Sequence, residues 1–246
     1  MRALVCKDYG PVDNLVIEDW DDPVPGDGQV AFDVRAAGLN FADILIIAGK
    51  YQVRPPLPFV PGNEASGIVT AVGRNVTRFK PGDRVIGALR GGAFAEKTVV
   101  DEHMAIPLPE RMSFEAGAAY SVAYGTSYHA LKQGAHLRSG ETVLVLGAAG
   151  GVGYAAVELA KALGARVIAA AGSKEKAKAC REMGAEAAVE YKDGDVDAAI
   201  AKFAPAGIDL WFETSRDPDL HKALEHMAFG GRIMLIAGLE ATSSLP

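Results

Sequence analysis

In Val143-Leu144-Val145-Leu146-Gly147-Ala148-Ala149-Gly150-Gly151-Val152-Gly153 an apolar run meets a cluster of small residues and continues into a helical pattern. Small side chains at such a turn let the backbone approach a pyrophosphate. The first N–H groups of the following helix, with the positive end of its dipole, receive the anion. Against the pattern G-x-G-x-x-G, Ala148 takes the first glycine's place while Gly150 and Gly153 match. Ala149, Gly150, Gly151, Val152 and Gly153 are therefore the expected phosphate-contacting positions, with Gly153 letting the helix pack close to the sheet. A tight turn that binds nothing is the competing reading. It is weakened because strand, turn, helix and second strand all fall where the motif needs them.

About 20 residues further on, a site for NAD needs an Asp or Glu to accept from the ribose 2′-hydroxyl. The sequence there is Ala169-Ala170-Ala171-Gly172-Ser173-Lys174-Glu175-Lys176, with no carboxylate at the strand end. A hydroxyl and two ammonium groups offer a 2′-phosphate donors and countercharge, which predicts NADPH as the cofactor. Gly172, Ser173 and Lys176 are the residues expected to hold it, and Glu175 is expected on the solvent face. A solvated helix start is the alternative reading of the two lysines.

The elements that must carry these residues come in two textures. Up to about residue 108, short β-like runs at 15–20, 29–36, 67–72, 84–87 and 96–100 are broken by Gly and Pro. A short helix is expected near 41–47. From residue 113 helix and strand alternate: one or two helices over 114–131, further helices at 153–163, 174–183, 196–204 and 221–229, and strands at 142–146, 165–171, 186–190, 208–212 and 232–237. Such alternation implies a parallel sheet of five strands with right-handed crossovers.

Composition removes several function classes. Lys and Arg number 25 against 31 Asp and Glu, a net charge of -6, and no basic run is present. A nucleic-acid partner is not expected. Two cysteines, Cys6 and Cys180, cannot build a disulfide framework or a Cys-based metal lobe, and they suit a reducing compartment. The N-terminus meets charge at Arg2, Lys7 and Asp8 before any signal-like apolar core, and the densest apolar stretch, 44–48, is far short of a bilayer span. A soluble cytoplasmic protein without a membrane partner is expected.

Further motifs run nearly from end to end: Gly38-Leu39-Asn40-Phe41-Ala42-Asp43, Pro61-Gly62-Asn63-Glu64-Ala65-Ser66-Gly67, Lys80-Pro81-Gly82-Asp83-Arg84-Val85, Gly92-Ala93-Phe94-Ala95-Glu96, Thr126-Ser127-Tyr128-His129-Ala130-Leu131 and Gly230-Gly231-Arg232. With the glycine turn, they make the chain resemble the medium-chain dehydrogenase/reductase superfamily, specifically its zinc-independent quinone oxidoreductase (zeta-crystallin-like) branch. The resemblance implies an α/β fold: a GroES-like, mostly antiparallel β catalytic domain over 1–120 and a Rossmann-type NADPH-binding domain over 121–246, with the nicotinamide in the cleft between them. It implies Asn40, Asp43, Tyr51 and Thr126 as catalytic-pocket positions and Ser173, Lys176 and Tyr191 as adenosine-phosphate positions. Asn40 and Asp43 equally suit a helix cap, Tyr51 core packing, and Thr126 helix geometry alone.

Zinc-dependent relatives carry Cys where this chain has Asn40 and His where it has Asn63. Neither Asn is a good zinc ligand, so no metal is expected. The implied reaction is hydride transfer from NADPH to a quinone or an α,β-unsaturated carbonyl, with a small electrophilic acceptor as partner. From another class, a non-enzymatic NADPH-binding protein, crystallin-like or cofactor-sensing, remains the alternative.

Three departures qualify the resemblance. Leu45 and Ile47 stand where the branch often has Tyr and Arg, which predicts a more apolar pocket. Arg216 brings positive charge toward substrate or cofactor, or pairs with Asp217 or Asp219. The sequence stops after the fifth Rossmann strand, whereas family members continue through a sixth and return to the catalytic domain. Full-length members are homodimers that commonly pair their sixth strands, so that interface is expected to be missing, whether the chain is a fragment or a natural short form.

Overall fold

Short apolar runs bounded by Gly and Pro dictate the first half of the architecture, and longer apolar runs alternating with helices dictate the second. The computed structural model describes residues 1–191, 196–215 and 218–236. The chain divides into two units, Met1–Val122 and Ala123–Pro246.

In the first unit the strands are β1 (Arg2–Val5), β2 (Val16–Asp19), β3 (Gln29–Ala37), β4 (Glu64–Val72), β5 (Arg84–Ala88), β6 (Lys97–Asp101) and β7 (Ala105–Pro107). β1 and β2 form an antiparallel pair, and the other five form an antiparallel sheet in the order β6-β3-β4-β5-β7. Val30, Phe32, Ala65, Val69, Val85, Leu89 and Val100 close its core. The α-helices lying wholly within this unit are α1 (Phe41–Ile47) and α2 (Phe114–Ala118). β7, at three residues, is too short for periodicity to reveal.

Helix α3 (Ser121–Tyr128) leads into the second unit and runs on as a π-helical turn, His129–Gly134, so the stretch 114–131, expected as one or two helices, is divided among α2, α3 and this turn. The strands that follow are β8 (Thr142–Leu146), β9 (Arg166–Ala171), β10 (Ala187–Glu190), β11 (Ile208–Glu213) and β12 (Met227–Leu235). They form one parallel sheet in the order β10-β9-β8-β11-β12. The intervening helices are α4 (Gly151–Ala162), α5 (Lys174–Glu182), α6 (Val196–Phe203) and α7 (Leu220–Glu225).

Because side chains alternate faces along a strand, the sheet feeds two cores. Val143, Val145, Val167, Ala169, Leu210 and Phe212 join Ala156, Val157 and Ala160 of α4 on one side. Leu144, Ile168, Ala170 and Trp211 join Val196, Ala199 and Ile200 of α6 and Ala223 of α7 on the other. Burial on both faces is why these strands read as unbroken apolar runs.

One expected element is corrected. The helix at 221–229 ends at Glu225, and β12 begins at Met227. Gly230, with φ +76, lies within this strand instead of closing a helix. Ile208 pairs with Met227 but Leu210 with Arg232, so residues 228–231 bulge out of the ladder. The end of the expected strand, Ala237, lies outside the described residues. No helix among those described is long and apolar enough to cross a membrane.

Arg232 anchors β12 to the entrance of β8. Its Nη1 and Nη2 donate to Glu141 Oε1 and Oε2 at 2.9 and 2.7 Å, and its Nε donates to the Ala135 carbonyl at 3.0 Å. The Arg232 hydrogen bonds hold the Glu141 carboxyl below the usual glutamate range, against the opposing effect of burial. Glu141→Gln is expected to cost about 1–2 kcal/mol, read as a lower urea midpoint with an unchanged m-value. A lowered folded-state pKa stabilises above the unfolded value, about 4.3 for Glu, and the benefit is lost as pH falls through the lowered one. The gap between wild type and Glu141→Gln should therefore be full at neutral pH and close in acid.

Candidate functional site

β8 ends at Leu146, and the chain turns sharply at Gly147, where φ is +66. A β-carbon there would lie 2.1 Å from Thr214 Oγ1. That hydroxyl donates to the Leu146 carbonyl at 2.7 Å, tying the carboxyl ends of β8 and β11 together. Gly150 is the N-cap of α4 and has no side chain to occupy the first N–H groups of the helix, which leaves them for a ligand. At Gly153 a β-carbon would stand 2.3 Å from the Gly147 carbonyl oxygen and 2.8 Å from Ala148 Cα, so the first helical turn sits directly against the loop. Ala149 and Val152 are half-buried, and Gly150 and Gly151 are exposed.

The same end of the sheet carries the residues that follow β9. Ser173 is the N-cap of α5, and its Oγ accepts from the Lys176 N–H at 3.3 Å. The same hydroxyl donates to Glu175 Oε2 at 3.2 Å. Glu175 is exposed, as the sequence predicts, yet its carboxylate turns back onto the serine. Tyr191 is tied to this corner by its N–H to the Ala171 carbonyl, 3.1 Å, and its hydroxyl stands 3.3 Å from where a Gly172 β-carbon would be. Gly172, Ser173 and Tyr191 are thus brought together. Lys176 is exposed and, among the described residues, its ammonium has no ion-pair partner.

A cavity of about 470 Å³ opens here, lined by Gly147, Tyr191, Trp211, Glu213, Thr214 and Ser215 among others. From β8 the chain proceeds outward through β9 and β10, then returns to the other side through β11 and β12. The cavity therefore lies at the switch point of the sheet, where open α/β folds take their ligands. Glu213 is 2% exposed and accepts from Trp211 Nε1 at 3.1 Å and the Ser215 N–H at 2.7 Å. Sequence reasoning missed Trp211 and Thr214 as cavity residues; strand order, invisible in the sequence, is what puts them there. The expectation for Arg216 falls outside the described residues, whereas Asp219 caps α7 by accepting the Lys222 N–H at 3.0 Å.

In the first unit, Asn40 and Asp43 meet at the start of α1. Asn40 is its N-cap, and its N–H donates to Asp43 Oδ2 at 2.8 Å. Asp43 Oδ1 accepts from Asn63 Nδ2 at 2.6 Å. Asn40 Nδ2 in turn donates to Glu64 Oε1 at 2.8 Å, and the other oxygen, Oε2, caps the start of α3 through the Val122 N–H at 2.8 Å. Asp43 and Glu64 are 0% and 2% exposed. Burial pushes the Asp43 carboxyl up, the bonds from Asn40 and Asn63 oppose the rise, and the charge of Glu64 adds to it. The role of Glu64 as the partner of Asn40 was not legible, because 24 residues separate the two.

Asn63 also lines a mostly apolar pocket of about 390 Å³ with Ala42, Ile46, Tyr51, Phe59, Leu89 and Arg90. Leu45 and Ile47 do not line this pocket. Helical phase turns Ala42 and Ile46, at i and i+4, toward the pocket, and Ile47 is buried in the interior. Thr126 belongs to the second unit, half-buried on α3 beside Ser127, whose hydroxyl donates to the Val152 carbonyl at 2.8 Å. Among the described residues no three His, Cys, Asp or Glu side chains are grouped so as to hold a metal ion.

Known proteins share this architecture. Residues 26–110 match the alcohol dehydrogenase GroES-like domain, and residues 151–246 match the zinc-binding dehydrogenase family. The quinone oxidoreductase of Homo sapiens is 36% identical over 239 residues, 96% of this chain and 73% of its own. Quinone oxidoreductase-like protein 2 of Mus musculus is 38% identical over 96% of this chain and 67% of its own. Among solved structures, the quinone oxidoreductase of Thermus thermophilus, determined also in complex with NADPH, superposes with a TM-score of 0.83 at 38% identity, covering 98% of this chain and 75% of that one. The quinone oxidoreductase of Escherichia coli complexed with NADPH gives a TM-score of 0.84 at 28% identity, covering 95% and 75%.

The two neighbouring glycines of the turn should respond oppositely to one methyl group. Gly153→Ala drives a β-carbon into backbone and is expected to destabilise by roughly 1–3 kcal/mol. Gly151→Ala meets nothing within 4 Å and should be neutral or stabilising by up to about 1 kcal/mol from helix propensity. Thermal melts of the two variants check this, and equal effects would contradict the packing.

Proposed function

The chain belongs to the quinone oxidoreductase-like branch of the medium-chain dehydrogenase/reductase superfamily, and on that footing we propose that it is an NADPH-dependent oxidoreductase whose acceptor is a quinone or an α,β-unsaturated carbonyl, reduced without zinc. The observation that carries the reading is the corner formed by Gly147, Gly153, Gly172, Ser173 and Tyr191. NADPH supplies the hydride when bound. The residues suited to hold it are those of the turn, Ala149 to Gly153, for the pyrophosphate, and Ser173, Lys176 and Tyr191 for the 2′-phosphate. Ser173 contributes a hydroxyl, and Lys176 contributes a charge that no described carboxylate neutralises.

Zinc does not fit the donors present. Asn40 and Asn63 offer amides where zinc-dependent relatives offer Cys and His, and each amide already donates to a buried carboxylate, Glu64 and Asp43 respectively. Without a Lewis acid to polarise a carbonyl, the acceptor must itself be electrophilic. The apolar pocket of Ala42, Ile46, Phe59 and Leu89 suits a flat, weakly hydrated acceptor and excludes water from it. The Asn40–Asp43–Asn63–Glu64 network holds α1, and with it Ala42 and Ile46, in place. Tyr51, a lining residue, offers this pocket a hydroxyl that can return a proton to the reduced acceptor, in competition with solvent.

Steady-state NADPH oxidation with a panel of quinones and enones tests the activity. Turnover should survive chelator, and metal analysis should find no stoichiometric zinc; tightly bound stoichiometric zinc would overturn the metal-free reading. Ser173→Ala and Lys176→Ala should each weaken NADPH binding about tenfold, the loss of one charge-assisted hydrogen bond, while NADH binding is unchanged. Unaltered NADPH affinity in both variants would refute the 2′-phosphate assignment.

A further inference from the structure

A serine hydroxyl has one proton to give, and at Ser173 that proton is already given. Its Oγ donates to Glu175 Oε2 at 3.2 Å while accepting the Lys176 N–H at 3.3 Å. Glu175 sits in the first turn of the nine-residue helix α5, where the helix dipole attracts an acidic side chain. This inference rests on the assignment of Ser173 to the 2′-phosphate.

We propose that Glu175 is a specificity-determining residue that limits the enzyme's preference for NADPH over NADH. A 2′-phosphate is an acceptor at neutral pH, so it can engage Ser173 only by taking the proton now given to Glu175. The carboxylate then loses its donor and remains beside a second anion. A ribose 2′-hydroxyl makes no such demand. It is a donor itself, and it can give its proton to Glu175 or to Ser173 Oγ while the existing pair stays intact. The geometry thus combines two opposed devices on one helix start. Ser173 and Lys176 favour the phosphate, and Glu175 partly cancels them.

The test is a fluorescence titration of the whole chain with NADPH and with NADH, in wild type, Glu175→Gln and Glu182→Gln. Glu182 is on the same helix, pairs with Lys178 at 3.8 Å, and its replacement changes the net charge equally. Glu175→Gln keeps the side-chain length and an oxygen for Ser173 but removes the charge. It should tighten NADPH about tenfold, the size expected for relieving one close like-charge pair at a solvated surface, and leave NADH equal or weaker. Glu182→Gln should leave both constants within about twofold, because exposed charges beyond a Debye length are screened. An unchanged NADPH-to-NADH ratio in Glu175→Gln overturns the proposal, as does an equal shift in Glu182→Gln. Binding of neither nucleotide by wild type overturns the cofactor reading, and this inference with it. Binding of both by wild type with no response to Glu175→Gln overturns this inference alone.

Discussion

The carbonyl oxygen of Gly147 stands 2.3 Å from the point a β-carbon would occupy at Gly153, and much of the second unit follows from that separation. A helix that begins so close to its strand has its first N–H groups at the carboxyl edge of the sheet. The same edge receives Ser173 from β9, Tyr191 from beyond β10 and Thr214 from beyond β11. Thr214 fills the space a side chain at position 147 would need, and spends its hydroxyl holding β8 to β11. One glycine therefore shapes the loop and another sets how near α4 may start.

The first unit solves a different problem. It buries two carboxylates, Asp43 and Glu64, within one hydrogen-bonded group. Burying a charge is costly unless its lone pairs are satisfied, and here four donors serve four oxygens: the Asn40 and Val122 N–H groups and the amides of Asn40 and Asn63. An Asn is suited to this because its amide donates without adding charge. Asn40 and Asn63 thus both serve as donors to their own scaffold.

Local patterns were legible and relations across the fold were not. β8, the turn after it and α4 could be read because a double-faced apolar strand, a small-residue turn and an amphipathic helix are contiguous in sequence. The helix at 221–229 was misread because Phe229-Gly230-Gly231 resembles a C-terminal stop, while the chain uses those residues as a bulge within β12. Which face of α1 meets the apolar pocket of the first unit depends on helical phase, and it is the face of Ala42 and Ile46. The Asn63–Asp43 bond and the turn of Glu175 onto Ser173 depend on side-chain direction, which spacing does not encode. Trp211 and Thr214 depend on strand order.

The order of the strands has a consequence for how the chain is made. Synthesis delivers β3 before any of its partners in the sheet: β4 arrives next, and β6, whose Asp101 pairs with Gln29, only 72 residues later. β8 gains β9 quickly, but its other edge waits for β11, where Asp209 takes the Thr142 N–H from 67 positions away. β3 and β8 therefore each leave the ribosome with one hydrogen-bonding edge open for several seconds, at translation rates of about 5–20 residues per second. An unpaired apolar edge is where chains cross-pair, so the nascent form of this protein is more exposed to aggregation, and to the attention of chaperones, than its finished form.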